Sequence, residues 1–164
     1  MNRPAIVCKS SEGRVGAVVG DIYRFFATGD DTDGKYAMWE ATVPPGGGPP
    51  PHVHRREEEC FYVLEGEITF HQLAADGSER TLVAGPGMFV GMPIGTPHTF
   101  RNASGRTAKM IITVAPAGLE KMFFEIAQPI EPGATTAPPP TREEIEKLIA
   151  IAPNYGIELL LPKH

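Results

Sequence analysis

The chain reads HVHRREEE from His52 to Glu59, and this stretch holds two of its five histidines. Side chains two residues apart on an extended strand point to the same face, so His52 and His54 present their imidazoles side by side. Glu59 follows His54 by five residues, which is the wrong parity for an unbroken strand. We therefore predict a bend over 55–58. Imidazole nitrogen and carboxylate oxygen are ligands of divalent metals, so the stretch predicts part of a metal centre.

Only one of the three consecutive glutamates is placed well to serve as a ligand. In the strand that follows the bend, Glu59 shares a face with Phe61 and Val63, and this apolar pair identifies the face as the inward one. Glu58 points outward, and Glu57 belongs to the bend. We therefore predict that Glu59 is the carboxylate ligand.

A second stretch, from Gly87 to Asn102, contributes His98. The segment PIGTP over 93–97 has two prolines and a glycine, which restrict the backbone between two strands and fix the entry angle of the strand that begins at His98. His98 is predicted to be the fourth ligand. The two remaining histidines, His71 and His164, lie outside both stretches, and we expect His71 to be a surface or hydrogen-bonded residue.

The fold class follows from the positions of glycine and proline along the chain. Its 18 glycines and 17 prolines occur in short bursts between segments rich in aromatic and β-branched residues. Strands at intervals of roughly ten residues, with turns between them, indicate an antiparallel sandwich or barrel. The predicted strands cover residues 22–26, 36–43, 59–64, 68–73, 81–83, 88–92, 98–102 and 109–114.

The pattern becomes helical after Pro116. Apolar residues at helical spacing predict a short amphipathic helix over 117–127, and a proline-rich segment over 129–140 is predicted to be an extended linker. Thr141 and Glu144 have the spacing of a capping box, which begins a second helix. That helix carries an apolar stripe and is followed by a stop at Gly156 and a hydrophobic tail. The stripe comprises Ile145, Leu148, Ile149 and Ala152, and the tail covers 157–162.

The two ligand-bearing stretches resemble the paired motifs of the cupin superfamily. They read G-x5-H-x-H-x4-E-x6-G from Gly46 to Gly66 and G-x5-P-x-G-x2-H-x3-N from Gly87 to Asn102, with 20 residues between them. The resemblance covers about 36–115 and is similar to small single-domain bacterial cupins of the quercetin-dioxygenase type. It implies an all-β double-stranded β-helix or jelly-roll barrel, here with short C-terminal α-helices. It also implies one divalent metal ion per chain, bound by His52, His54, Glu59 and His98.

The resemblance does not choose the reaction, because one fold hosts many chemistries. The leading hypothesis is a metal-dependent dioxygenase acting on a small enolic or aromatic, flavonol-like substrate, with Glu59 also serving as the catalytic base. One alternative is a redox-neutral cyclase, isomerase or decarboxylase, and another is a binding protein without turnover. Iron, manganese, nickel, copper and zinc all accept such ligands. Phe61, Phe100 and Trp39 are candidates for the substrate pocket, although each could equally belong to the core.

Composition limits the classes of binding partner and indicates the cellular compartment. A net charge of -5 without a basic run excludes a nucleic-acid partner. No apolar run approaches the roughly 18 residues of a membrane span, and only two cysteines are present with no secretory leader, so we expect a cytoplasmic protein. We divide the chain into a barrel with its first helix, 1–128, and a C-terminal extension, 129–164. The apolar surface of the helices and tail predicts a homodimer, unless the tail seals its own barrel.

Overall fold

Two antiparallel β-sheets enclose one hydrophobic core in the computed structural model, which describes residues 2–162. The first sheet has the strand order β1 (Arg14–Val18), β2 (Asp21–Ala27), β3 (Ala37–Val43), β10 (Ala108–Ala115), β5 (Glu58–Glu65) and β8 (Phe89–Met92). The second has the order β11 (Ile157–Leu159), β4 (His52–His54), β9 (His98–Arg101), β6 (Ile68–Leu73) and β7 (Glu79–Ala84). This architecture confirms the predicted all-β jelly roll.

Strand periodicity determines which side chains form the core. Along β3 every second residue is buried, and the same alternation runs along β5 after Glu58. Trp39, whose orientation the sequence left open, points inward and is fully buried. Alternate residues on a strand face opposite sides of the sheet. Each sheet therefore has an apolar inner face, and the two inner faces pack against each other to form the core.

Most predicted strands are confirmed within one or two residues, and the differences concern short elements. The segment 29–34, predicted to be a loop, contains a single helical turn, α1 (Gly29–Thr32). The strand β1 was not predicted. It joins β2 through a two-residue turn in which Val19 and Gly20 have φ angles of 48° and 93°. Valine seldom adopts the left-handed region, so this turn lacks the usual sequence signal.

The glycine- and proline-rich loop over 44–51 is ordered, as the ligands after it require. The buried side chain of Asn102 holds it, because the Nδ2 amide donates to the carbonyl oxygen of Val43 at 2.9 Å. The backbone of Asn102 also accepts from Gly46 at 2.7 Å and donates to Gly47 at 2.9 Å. The last motif residue therefore anchors the loop that leads into β4.

The C-terminal helices are α2 (Leu119–Ile126) and α3 (Arg142–Ile151), followed by a 3-10 turn, Ala152–Tyr155. The predicted capping box is present, since the amide of Glu144 donates to Thr141 Oγ1 at 3.2 Å. The predicted stripe on α3 divides: Leu148 packs towards the core, whereas Ile145 and Ile149 remain exposed. Within residues 2–162, no helix is long and apolar enough to cross a membrane.

The hydrophobic tail and α2 both pack on their own barrel. After the left-handed Gly156, the tail forms β11, which pairs with β4. Helix α2 forms part of the wall of a cavity between the sheets, where Leu119, Met122 and Ile126 are buried. Apolar residues on α2 are therefore used to close this chain's own cavity.

Candidate metal centre

The four predicted ligands come from three strands and from both sheets. His52 and His54 lie on β4, and His52 pairs directly with His98, the first residue of β9. Glu59 lies on β5 in the opposite sheet. The predicted bend after His54 turns the chain from one sheet to the other, so the carboxylate approaches the imidazoles from across the core. All four side chains are buried.

The three imidazoles are fixed with the same ring nitrogen directed into the centre. The Nδ1–H groups of His52 and His98 donate to the carbonyl oxygens of Pro50 and Thr96, at 2.8 Å and 2.9 Å. The Nδ1–H of His54 donates to Glu57 Oε1 at 2.6 Å. Each Nδ1 is therefore occupied as a donor, so Nε2 is the nitrogen that each ring directs into the centre and the one that can bind a metal once it carries no proton.

The distances between the converging atoms fit a divalent metal. The Nε2 atoms of His52 and His54 are 3.0 Å apart, and Glu59 Oε2 lies 3.0 Å from His54 Nε2 and 3.1 Å from His98 Nε2. Ligand atoms at right angles around a metal, each about 2.1 Å from it, lie roughly 3.0 Å apart. Lone pairs this close repel one another unless a cation lies between them. The donor set therefore fits a metal ion.

Charge within the centre supports the same conclusion. Burial lowers the pKa of His52 to about 4, so this ligand is neutral at ordinary pH. Burial also acts to lower the pKa of His54, but Glu59 and Glu57 outweigh it and raise the pKa to about 10. Burial acts to raise the pKa of Glu59, yet the histidines, His54 foremost, hold it well below its usual range. The carboxylates thus attract one positive charge to the centre, and a bound metal would replace the proton on His54.

Glu57 is the residue of this centre that the sequence analysis missed. It lies in the bend, as predicted, but its side chain turns inward, is 3% exposed and accepts the hydrogen bond from His54. A carboxylate that bonds the far nitrogen of a ligating histidine fixes its orientation and raises its basicity. The spacing H-x-x-E from His54 to Glu57 was the available signal, because a tight bend brings residues three apart together.

We expect Glu57→Gln to weaken metal binding about tenfold, because the amide removes the negative charge beside His54 while preserving the side chain's shape. The affinity can be measured by competition with a chromophoric chelator. Glu58→Gln is the matched control, since Glu58 is the exposed neighbour on the same segment. Equal affinities for the two variants would show that Glu57 does not tune the centre.

Three of the four candidate ligands, His52, His54 and Glu59, form one wall of a cavity of about 80 Å³. Of the three pocket candidates, Phe100 lines this cavity, whereas Phe61 and Trp39 are buried beside it. Phe61 packs against Phe100 with ring centroids 5.7 Å apart, and Trp39 packs against Tyr23 at 5.8 Å. The other walls are largely apolar and come from β1, the loop before β4, α2, α3 and β11, with the residues Val18, Val19, Gly48, Pro49, Pro50, Leu119, Met122, Phe123, Ile126, Leu148, Ile157 and Leu159.

Three further polar or ionisable side chains lie away from the centre. His71 is a surface residue whose Nδ1 is 2.7 Å from Glu79 Oε1, as expected for a hydrogen-bonded histidine. Cys60 faces away from the ligands and is half-buried; burial and then Glu58 and Glu59 raise the pKa of its thiol. Such a thiol is a poor nucleophile. Arg55 donates to Glu158 at 3.1 Å on the surface and does not line the cavity.

Comparison with known proteins defines the class first. Residues 39–114 match the family model described as "Cupin domain", and the chain belongs to the cupin superfamily. Over 125 residues, 76% of this chain, it is 32% identical to quercetin 2,3-dioxygenase of Bacillus subtilis (strain 168). The chain spans 35% of the length of that relative. The chain is therefore a quercetin-dioxygenase-like cupin that corresponds to part of the larger protein.

Two solved structures share the fold over most of the chain. The polyketide cyclase RemF from Streptomyces resistomycificus is 27% identical, with a TM-score of 0.52, and the match covers 70% of this chain and 79% of that one. A predicted oxalate decarboxylase from Thermotoga maritima is 20% identical, with a TM-score of 0.59, over 67% of this chain and 98% of that one. The second likeness concerns the fold alone.

Proposed function

We propose that this protein is a metal-dependent dioxygenase whose substrate is a small enolic or aromatic molecule with adjacent oxygen atoms. One observation carries the proposal: three histidines and one carboxylate converge in a buried group, and His52, His54 and Glu59 of that group line a largely apolar cavity. Such a cavity binds an organic ring and brings its oxygens to the metal. The similarity to quercetin 2,3-dioxygenase supports the oxygen-dependent reaction.

The chain's own residues would prepare the substrate for this reaction. A metal bound by His52, His54, Glu59 and His98 supplies Lewis-acid and redox chemistry. Glu59 Oε2 lies 3.0 Å from His54 Nε2 and 3.1 Å from His98 Nε2, which leaves Oε1 to accept the proton of an enol. Glu59 would thus serve as the base at the centre, and the largely apolar walls would limit the access of water.

The size of the cavity favours a compact substrate. Its volume of about 80 Å³ is smaller than the roughly 150 Å³ of an engineered apolar cavity that binds benzene. A flavonol with three rings therefore requires α2 or β11 to move, whereas a single-ring enol requires a smaller displacement of side chains. We expect single-ring enols to bind to the metal-loaded protein more readily than quercetin.

We expect oxygen uptake when protein loaded with iron(II), manganese(II) or nickel(II) is mixed with an enolic substrate, and none with zinc(II), which has no redox chemistry. An oxygen electrode measures oxygen uptake, and mass spectrometry identifies the products. Quercetin and single-ring enols form the substrate panel. Product formed without oxygen uptake contradicts the dioxygenase and favours a redox-neutral enzyme. Binding without any product favours a non-catalytic binding protein.

A second candidate function is a redox-neutral cyclase, isomerase or decarboxylase in which the metal serves only as a Lewis acid. The observation that favours it is the likeness to the polyketide cyclase RemF, because this chain covers 79% of that protein but only 35% of the quercetin dioxygenase. The zinc-loaded protein separates the candidates, since a Lewis-acid reaction continues with zinc.

We also propose a homodimer in the cytoplasm. Cys8 and Cys60 are both free thiols, which is typical of a reducing compartment. The tail and α2 pack largely on their own barrel, so the apolar surface that remains is on α3 and on other strands. We expect light scattering to give about twice the 17.7 kDa chain mass at micromolar concentration, whereas a mass near 17.7 kDa rules the dimer out. The exposed apolar residues on β5, β7 and β8 are Tyr62, Leu64, Leu82, Val83 and Phe89.

A further inference from the structure

A second polar pair faces the cavity apart from the metal ligands. Asp21 and Tyr23 lie two residues apart on β2, so their side chains share one face of the strand, and both line the cavity. Asp21 is 4% exposed and Tyr23 is 6% exposed. Apart from the ligands, no other charged or hydroxyl-bearing side chain of the described residues lines this cavity.

Asp21 is an unsatisfied group. Its Oδ1 atom is buried and has no hydrogen-bond partner within residues 2–162. A buried carboxyl without a partner loses its hydration and gains nothing in return, so a chain that needs only stability has no reason to keep it. Asp21 lines a cavity next to the candidate metal centre, where a ligand can supply the missing hydrogen bond.

The backbone before Asp21 is strained, and the backbone of the facing loop lies unusually close to its carboxyl group. Val19, two residues before it, is a β-branched residue with φ 48°, and it also lines the cavity. On the facing loop, a Cβ added to Gly47 would lie 2.8 Å from Asp21 Oδ1, so only glycine leaves room for the carboxyl. Strained backbone persists where surrounding structure enforces it, and such positions cluster at ligand sites. Three independent features thus converge on the placement of this one carboxyl group.

We infer that Asp21 and Tyr23 bind a hydroxyl group of the substrate at a distance from the enol oxygens that meet the metal. This inference rests on the proposed function and deepens it, because it names the substrate class: a hydroxylated enol or phenol rather than an unsubstituted ring. Asp21 and Tyr23 would act as specificity-determining residues, and neither contacts the reacting oxygens.

The protonation states of the pair suit a neutral hydroxyl. Burial raises the pKa of Asp21 to about 8, so in the empty cavity at neutral pH it is a carboxylic acid that can both donate and accept. Burial, and then the nearby Asp21 and Glu59, raise the pKa of the Tyr23 phenol, which keeps its proton. A hydroxyl group donates one hydrogen bond and accepts others, which matches this pair.

The inference can be tested with two chelators, kojic acid and allomaltol. Both carry the same enol and ketone oxygens on one ring, but kojic acid has a hydroxymethyl group where allomaltol has a methyl group. Binding to the cobalt(II)-loaded protein is followed by calorimetry and by the cobalt absorption band, which changes when a chelator enters the coordination sphere. We expect wild type to bind kojic acid about tenfold more tightly than allomaltol, the effect of one additional buried hydrogen bond.

The variants separate recognition from folding. Asp21→Leu should abolish the preference for kojic acid while leaving the affinity for allomaltol unchanged, and Asp21→Asn should retain part of the preference. Asp30→Asn, at an exposed aspartate outside the cavity, is the matched control and should keep the full preference. Because Asp21→Leu removes an unsatisfied carboxyl, its thermal midpoint should equal or exceed that of wild type.

Three results would overturn the inference, and they are distinguishable. Equal affinities of wild type for the two chelators exclude a hydroxyl site. If Asp21→Leu binds both chelators equally more weakly and has a lowered thermal midpoint, Asp21 has a structural role only. If neither chelator changes the cobalt absorption of wild type, chelating enols do not reach the metal, and the proposed function fails together with the inference.

Discussion

Purified His98→Ala protein is expected to hold less than about a tenth of the metal found in wild type, while its barrel remains folded. The substitution removes one of three nitrogen donors and also the partner of Glu59 Oε2 at 3.1 Å. The barrel should survive, because residues from both sheets and from α2 form a continuous apolar core that does not depend on a metal. The loss should therefore be confined to the centre.

Elemental analysis of protein purified without added metal gives the occupancy, and circular dichroism with a thermal melt reports the fold. His71→Ala is the control, because His71 is a surface histidine bound to Glu79 and lies outside the centre. The ligand assignment would be wrong if His98→Ala and His71→Ala held equal amounts of metal. Loss of the β-sheet signal in His98→Ala would instead mean that the metal holds the barrel together.

The convergence of the four candidate ligands was predictable in part from the sequence, because strand parity determines the direction of a side chain. His52 and His54 share a face for that reason, and the apolar pair after Glu59 identified its face as the inward one. Parity does not show that two strands meet. The convergence of His98 with the other candidate ligands was implied by the resemblance to cupins, whose spacing this chain matches, and the direct pairing of His52 with His98 was not predicted.

Residues in or next to turns were harder to predict. Glu57 lies in a bend, where neither helical nor strand periodicity determines the direction of a side chain, so its spacing from His54 was the only signal of the hydrogen bond between them. Asp21 was missed because the turn before it has valine at a position that usually takes asparagine or glycine. Both residues depart from the usual local sequence and burial patterns, and both lie at the candidate metal centre or in its cavity.

The C-terminal extension shows a different limit. Its apolar stripe and tail were recognised from periodicity. An apolar face indicates that its residues are buried, but it does not indicate which surface packs against them. Two partners were open, a second subunit or the chain's own barrel. The structure shows β11 paired with β4 and Leu148 packed towards the core. The tail thereby lies beside the strand that carries His52 and His54, where it also helps to form the cavity.

The largest effect on turnover is expected from Glu59→Gln, which should keep part of the metal yet lose at least about a hundredfold in rate with any enolic substrate that wild type converts. An amide has the shape of the carboxylate and can still coordinate weakly through its oxygen. It cannot accept the enol proton, however, and the other carboxyl group that lines the cavity, Asp21, keeps its proton at neutral pH because burial raises its pKa to about 8. The rate should therefore fall much further than the occupancy.

The measurement is the initial rate divided by the metal content of the same sample, for Glu59→Gln and for Glu58→Gln, the exposed neighbour that points away from the centre. The control should match wild type in both quantities. A normalised rate close to wild type in Glu59→Gln would remove the base role and leave Glu59 as a ligand only. A normalised rate that falls while the substrate still binds would separate the two roles of Glu59, because binding of the chelating oxygens depends on the metal and conversion depends on the proton acceptor.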